Sequence, residues 1–170
     1  MPSKKVLSAD NQQGRSSRSL TSGYVCGFVD GEGSFHIAIY QDERMKTGIK
    51  VIPEFHVSQR VTSRAVLDRL VDFFNCGYVK ANHPTNPNDQ TYVFCVRDRQ
   101  DLLKRIIPFF RKEHLQTEKA NDFALFARVV EAMADGQHRT DAGVRKVLTW
   151  AYQMNGGGRY RRQDLQKTLK

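Results

Sequence analysis

Apolar and polar residues alternate along four segments of the chain, and this alternation predicts four strands. The first two segments cover 35–40 and 50–58, and the other two cover 78–82 and 91–97. A period of two is typical of strands that bury one face and expose the other. Pro53 falls inside the second segment, so it must lie where no hydrogen-bond donor is needed in the ladder.

Apolar residues spaced three and four apart predict helices before, between and after the strand pairs. Ser19 or Thr21 is the expected N-cap of the first helix, and Thr62 is the expected N-cap of the second. Pro108 is expected to interrupt the third helix. The predicted helical segments are 20–30, 62–74, 101–110, 117–134 and 140–155, and the glycines at 156–158 break the last one.

The order of these elements predicts an α+β fold, in which a four-stranded antiparallel sheet carries helices on one face. One domain is expected at 19–155, with a flexible basic arm at 1–18 and a basic tail at 156–170. The uncovered face of the sheet mixes donors and acceptors, as the reading of base edges requires, although an ordinary solvated face is the alternative. Its polar residues are His36, Tyr40, Lys50, Glu54, His56, Ser58, Lys80, Asn82 and Thr91.

The net charge changes this picture, because it favours a polyanionic partner. The 170 residues include 27 Lys and Arg against 18 Asp and Glu, a formal charge of +9. Residues 1–22 hold four basic and one acidic residue, and residues 136–170 hold eight basic and two acidic. The ends are therefore expected to attract nucleic-acid phosphates, while a charge that only maintains solubility is the alternative.

Several classes of protein are excluded by composition. No apolar run approaches the ~20 residues of a membrane span, and the first residues are polar, so no membrane partner is expected. We expect an intracellular protein, in a bacterial or archaeal cytoplasm or in an organelle such as a chloroplast or mitochondrion. The three cysteines are widely spaced, which indicates buried free thiols rather than disulfides or a zinc site.

The segment GYVCGFVDGEGSF at 23–35 is unusual in its glycine spacing. Gly23, Gly27 and Gly31 share one helix face, although a helical glycine costs roughly 1 kcal/mol relative to alanine. Such a stripe allows another backbone to approach closely, so we expect the same helix of a second subunit to pack there. The alternative is a helix packed only on its own core.

Two acidic residues, Asp30 and Glu32, stand at the end of this helix, where the macrodipole is already negative. Two such ends meeting across a twofold axis would bring carboxylate and carbonyl oxygens together. These oxygens are the ligands that Mg²⁺ prefers, so a divalent metal is expected to relieve the repulsion.

The stretch YVCGFVDGEGSF resembles the motif of the LAGLIDADG homing endonucleases, specifically the single-motif members that act as homodimers. Similarity continues in family-like order through FHVSQR, LDRLVDFFNCGYV, PFF, TEKANDF and AYQMNGGGRYRR, and covers roughly 20–162. The resemblance implies an α-β-β-α-β-β-α fold with a saddle-shaped sheet on DNA, which agrees with the order read from periodicity. It also implies magnesium-dependent double-strand cleavage at a long, roughly palindromic double-stranded DNA target.

By this resemblance, Glu32 and the carbonyl of Gly31 would bind the metal, and Gln59 would position a water. Lys119 would be the basic catalytic residue, with Lys112 and Gln116 as alternatives, and an arginine of some members falls near Arg60 or Arg64. Asp30 is expected to be structural. The dimer interface would include Gly23, Gly27 and Gly31, and the DNA contacts would be His36, Ala38, Tyr40, Lys50, Glu54, His56, Ser58, Arg60, Lys80, Asn82, Thr91, Arg159, Arg161 and Arg162.

Two other functions fit the same scaffold. One is an intron-encoded maturase that binds intron RNA and assists splicing, and the other is a DNA-binding module that does not cleave. The presence of Glu32 favours cleavage over both.

Overall fold

Four strands and a set of helices make up the fold of residues 19–157, which are the residues that the computed structural model describes. The predicted α+β class and four-stranded antiparallel sheet are confirmed. The expected basic arm at 1–18 and the tail from 158 onward lie outside the described residues. The elements are α1 (Ser22–Glu32), β1 (Gly33–Gln41), β2 (Ile49–Arg60), α2 (Arg64–Phe74), β3 (Tyr78–Ala81), β4 (Thr91–Val96), α3 (Arg99–Asp101), α4 (Ile107–Glu113), α5 (Lys119–Ala134) and α6 (Asp141–Gly157).

The strands are ordered β1-β2-β4-β3, and each neighbouring pair is antiparallel. Gly33 pairs with Val57 at the start of β1, next to the end of α1. The pairing of β2 with β4 begins at Phe55, opposite Val96. Pro53 therefore lies on the part of β2 that pairs only with β1, as its missing N–H requires.

The inner face of the sheet packs against the helices through a cluster of buried phenylalanines. The rings of Phe35 on β1 and Phe55 on β2 stack with their centroids 5.2 Å apart. Phe110 of α4 meets both rings edge-on, with 5.5 Å between centroids in each case. Truncating one such side chain to alanine costs about 3–5 kcal/mol, so this cluster fixes the helices relative to the sheet.

Helix α1 packs on this core with one side only. Thr21 caps the helix by accepting a hydrogen bond from the Tyr24 backbone at 3.3 Å, and Val25 and Val29 are fully buried. The helix turns directly into β1 at Gly33, where an added Cβ would lie 2.5 Å from Cγ1 of Val29. Only glycine fits this turn, which places the acidic end of α1 at the edge of the sheet.

The prediction that Thr62 caps α2 is wrong. Val61–Ser63 form a 3₁₀ turn, and α2 begins at Arg64 after Ser63, whose side chain makes no capping hydrogen bond. The Val61 N–H donates to the Gln90 carbonyl at 2.7 Å, so the pairing of β2 with β4 continues past Arg60 before the helix can start.

The predicted interruption at Pro108 is also wrong. The chain is helical from α3 through a π turn at Leu102–Ile106 into α4, and Pro108 lies in the first turn of α4. The wider π turn makes room for a proline ring that would clash with the carbonyl of a regular preceding turn.

The last helix loses its geometry before the glycines that were predicted to break it. Met154, Asn155 and Gly156 are already non-helical, and Asn155 has a φ of 53°. Contacts hold this bend, because the Asn155 N–H donates to Asp122 at 2.8 Å and its amide donates to the Phe35 carbonyl at 3.2 Å. Among residues 19–157 no helix has the length and apolarity needed to cross a membrane.

Candidate active site and outer sheet face

Asp30 connects the end of α1 to the segment that precedes α5. One carboxylate oxygen accepts from the Gln116 N–H at 2.8 Å, and the other accepts from the hydroxyl of Thr117 at 2.8 Å and its N–H at 3.3 Å. Burial would raise the pKa of Asp30, but these hydrogen bonds outweigh it and hold the pKa below its usual value. Asp30 is therefore engaged in positioning α5 relative to α1.

Glu32 is in the opposite situation, although it stands only two residues further on. Its side chain is exposed and has no hydrogen-bond or ion-pair partner within residues 19–157. Gly31, beside it, is exposed as well. A free carboxylate and a carbonyl at the negative end of a helix form an oxygen-rich donor set that fits a hard divalent cation.

One copy of the chain supplies only part of such a metal site. Within the described residues, no group of three or more His, Cys, Asp or Glu side chains converges. Glu32 would therefore need further oxygen ligands from water, from DNA phosphates or from a second subunit.

Lys119 lies beside these acids, at the first position of α5. Its ammonium donates to the carbonyl of Gly33, the residue that follows Glu32. Burial lowers the pKa of Lys119, while the charges of Asp30 and Glu32 act to raise it. The structure thus brings a half-buried cation to the end of α1.

The alternatives to Lys119 point elsewhere. The Lys112 side chain is 83% exposed and contacts Glu113 at 3.8 Å. The Gln116 amide donates to the carbonyl of His114 at 2.8 Å. Of the three candidates, Lys119 alone contacts the turn between α1 and β1.

Gln59 lies at the same end of the sheet, on the side where the helices pack. It follows Val57 by two residues on β2, and Val57 pairs with Gly33. Two residues correspond to about 7 Å along a strand, so Gln59 is a neighbour of the α1 end rather than a direct contact. Arg60 is exposed at the end of β2, whereas the Arg64 guanidinium lies 4.7 Å from the centre of the Tyr92 ring.

The glycine stripe of α1 is uncovered. Gly23, Gly27 and Gly31 are exposed, and an added Cβ at any of them would meet nothing within 4 Å. Tyr24, half exposed, stacks on Phe28 with 5.7 Å between ring centroids. The described part of the chain therefore leaves an apolar helix face open beside Glu32.

The outer face of the sheet carries most of the expected DNA contacts in accessible positions. Ala38 is an exception, because it is buried at 7% exposure and its small side chain does not reach past its neighbours. The expectation of an accessible Ala38 is wrong. At least partly exposed are His36, Tyr40, Lys50, His56, Ser58, Arg60, Lys80, Asn82 and Thr91, whereas Arg159, Arg161 and Arg162 lie outside the described residues.

Glu54 is the second exception, and it reveals a residue that the sequence pattern missed. It is only 4% exposed, its carboxylate forms an ion pair with Nε of Arg97, and its other oxygen lies 3.0 Å from Nε2 of His56. Burial would lower the pKa of His56, but Cys95 and Glu54 raise it to about 9. Arg97 follows β4 directly, so extending the strand register by one residue would have placed it opposite Glu54.

A family model described as LAGLIDADG endonuclease matches residues 25–130 of the chain. A probable intron-encoded endonuclease of Neurospora crassa is 33% identical over 153 residues, which cover 89% of this chain. The chain spans 31% of the length of that relative.

Solved structures agree with the family match. The homing endonuclease I-TnaI is 40% identical, with a TM-score of 0.79 over 89% of this chain and 97% of that one. I-SmaMI, bound to an uncleaved DNA target in the presence of calcium ions, is 31% identical, with a TM-score of 0.79 over 88% of this chain and 49% of that one. The chain belongs to the LAGLIDADG endonuclease family.

Proposed function

We propose that this chain is a site-specific DNA endonuclease that acts as a homodimer and cuts both strands of a long, roughly palindromic target. The observation that carries the proposal is the end of α1, where the free Glu32 carboxylate lies beside the half-buried ammonium of Lys119. Its support is the family match and the likeness to a relative that was solved on its DNA target. Such an activity belongs inside the cell, in a prokaryotic cytoplasm or in an organelle that holds DNA.

Glu32 and the Gly31 carbonyl would hold a divalent cation, for which Mg²⁺ is the natural candidate. When bound, the ion would activate water and stabilise the leaving 3′ oxygen. Lys119 would add positive charge close to the scissile phosphate, and Gln59 would orient water from the end of the sheet. Asp30 would hold Lys119 close to Glu32, because it binds Gln116 and Thr117, which come just before Lys119 in the chain.

The uncovered glycine face supports the homodimer. A second α1 related by a twofold axis would approach the first closely, since no side chain stands on the stripe. Each subunit would then contribute one Glu32, and each Glu32 would serve one strand of the duplex. The two outer sheet faces would read the two half-sites, which accounts for a palindromic target.

Selection from randomised duplex DNA in the presence of Mg²⁺ tests the activity. Wild-type protein should enrich one long sequence that carries double-strand breaks. Glu32→Gln should bind this sequence but cut it on the order of 10³-fold more slowly. The matched control is Glu118→Gln, because Glu118 is exposed and its side chain does not cap α5.

Other outcomes would support the competing functions. Sequence-selective binding without cutting by wild type would indicate a DNA-binding module. Selective binding of intron RNA, with no selection from duplex DNA, would indicate a maturase.

The subunit arrangement has its own test. Gly27→Leu should shift the protein from dimer to monomer in sedimentation while the monomer keeps its fold by circular dichroism, because the added side chain meets nothing in its own chain. Ala65→Leu, an exposed small-to-large change on α2, should leave the dimer intact. A Gly27→Leu protein that remains dimeric would contradict this interface.

A further inference from the structure

The outer sheet face contains a buried carboxylate, Glu54, between an arginine and a histidine, an arrangement that cleavage does not require. Glu54 lies in the middle of β2, opposite His36 on β1, and next to the path of β4. One of its oxygens pairs with Nε of Arg97, and the other lies 3.0 Å from Nε2 of His56. Both oxygens are therefore engaged within the protein.

Glu54 is poorly placed to form a hydrogen bond with a DNA base. Burial of a charged group is strongly unfavourable unless the group is paired, and Arg97 supplies that pairing. Turning Glu54 toward a cytosine amino group would break both contacts. Glu54, which the sequence pattern placed among the DNA contacts, is thus better suited to holding other side chains in place.

Of the two side chains that contact Glu54, Arg97 is the more exposed to solvent on the outer face of the sheet. Its side chain is 44% exposed, and the contact with Glu54 uses Nε, the inner nitrogen of the guanidinium. The terminal nitrogens lie further out along the side chain, where they can donate to a ligand. Arg97 and Glu54 line a depression of about 760 Å³ on the outer face, together with Tyr40, Lys50 and Ile52.

The acid on the β1–β2 connection that has an arginine partner of its own is Asp42, which Arg44 engages through two contacts of 2.8 Å. An arginine fixed through Nε keeps its fork geometry while losing little side-chain entropy on binding. The pair of terminal nitrogens matches O6 and N7 of guanine, the commonest specific contact in the major groove.

We propose that Arg97 is a specificity-determining residue that reads one guanine in each half-site, and that Glu54 is its positioning residue. The inference rests on the proposed function, since it requires the outer sheet face to lie in the major groove. The Glu54–Arg97 pair is neutral by itself, and Nε2 of His56 lies 3.0 Å from the other carboxylate oxygen, which keeps Glu54 turned toward the protein.

The test is a base-by-base profile of binding to the selected target, with all three alternatives placed at each position. Wild type should prefer guanine at one symmetric pair of positions by on the order of ten- to a hundredfold. Arg97→Ala should reduce that preference to about twofold and leave the preferences at other positions unchanged. Arg97→Lys should do the same with nearly full affinity, because the charge remains and the two-nitrogen fork is lost.

Glu54→Gln should weaken the preference at the same pair of positions and at no other. The matched control is Arg111→Ala, which removes an arginine paired with Glu131 at 2.7 Å on the helical side of the molecule. Its profile should equal that of wild type.

Three results would overturn the inference in distinguishable ways. Uniform weakening at every position in both Arg97 variants would assign Arg97 to a phosphate. Unchanged profiles in both variants would remove Arg97 from the interface and leave the proposed function intact. Failure of wild type to select any duplex sequence would overturn the proposed function and this inference together.

Discussion

The end of α1 and the outer face of the sheet each place a carboxylate that has partners within the protein next to a charged group that is accessible to a ligand. The accessible group is an acid at the end of α1 and a base on the sheet. At the end of α1, Asp30 is saturated by Gln116 and Thr117, and the free group is an acid, Glu32. On the sheet, the saturated acid is Glu54, and the accessible group is a cation, Arg97. The first arrangement suits a metal ion and the second suits a base edge. In both regions the carboxylate with partners in the protein is the one that we propose to be structural, and the neighbouring accessible group is the one that we propose to bind a ligand.

After Glu32→Gln, the largest expected effect concerns Lys119, the half-buried cation beside the acids at the end of α1. Lys119→Met keeps much of the buried aliphatic length but removes the charge that we propose to lie near the scissile phosphate. We expect the single-turnover cleavage rate to fall roughly 10²- to 10³-fold, with DNA affinity changed by about twofold or less.

Lys112→Met is the matched control, because Lys112 is 83% exposed and its ion pair within residues 19–157 is with its neighbour Glu113. Its cleavage rate should stay at the wild-type value. An equal loss in both variants would show that general basicity, rather than the position of Lys119, supports cleavage.

Asp30→Asn tests whether Asp30, unlike Glu32, stabilises the fold. The substitution replaces a charged acceptor by a neutral one facing Gln116 and Thr117, so the free energy of unfolding should fall by roughly 1–2 kcal/mol. Because the pKa of Asp30 is lowered on folding, this contribution is present above its ordinary value of 3.8 and is lost as the pH falls through the folded-state pKa.

Urea unfolding at neutral pH measures the effect. Glu32→Gln is the internal comparison and should change stability little, since Glu32 has no partner in the described chain. If Glu32→Gln proved as destabilising as Asp30→Asn, the assignment of separate roles to the two acids would be wrong.

Much of the sheet and of the α1 end follows from local sequence. Alternation located the strands because one face of each strand is buried, and the motif located Glu32 because its glycines and acids are adjacent in the chain. Lys119 came from the family resemblance, and the structure adds its contact with Gly33.

The features that were missed depend on contacts between distant segments. The start of α2 is delayed by the bond from Val61 to Gln90, and the end of α6 is set by Asp122. Arg97 escaped notice because its importance depends on strand register, which pairing decides and local composition does not. The roles of Glu32, Lys119, Gln59 and the glycine stripe remain predictions.

The smallest expected effect concerns the protonation of His56. If the ring is protonated, the Glu54 carboxylate faces two cations, His56 and Arg97; if the ring is neutral, it faces Arg97 alone. Burial favours the neutral ring, but the contacts with Cys95 and Glu54 raise the pKa of His56 to about 9. A folded-state pKa above the ordinary 6.5 means that this proton contributes stability fully below pH 6.5 and that the contribution is lost as the pH rises through about 9. Since the ring is 24% exposed and partly screened, we expect the loss to be on the order of 1 kcal/mol.

An NMR titration of the His56 ring measures this balance directly. The midpoint in wild type should lie near 9, and Glu54→Gln should lower it, because an anion 3.0 Å from Nε2 is removed and only the contact with Cys95 then opposes the effect of burial. Glu131→Gln, which breaks the pair with Arg111 on the helical side, should leave the midpoint unchanged. A wild-type midpoint at or below 6.5 would mean that His56 is neutral and that Arg97 alone compensates Glu54, in which case Arg97→Ala should destabilise the fold far more than a base-reading role requires.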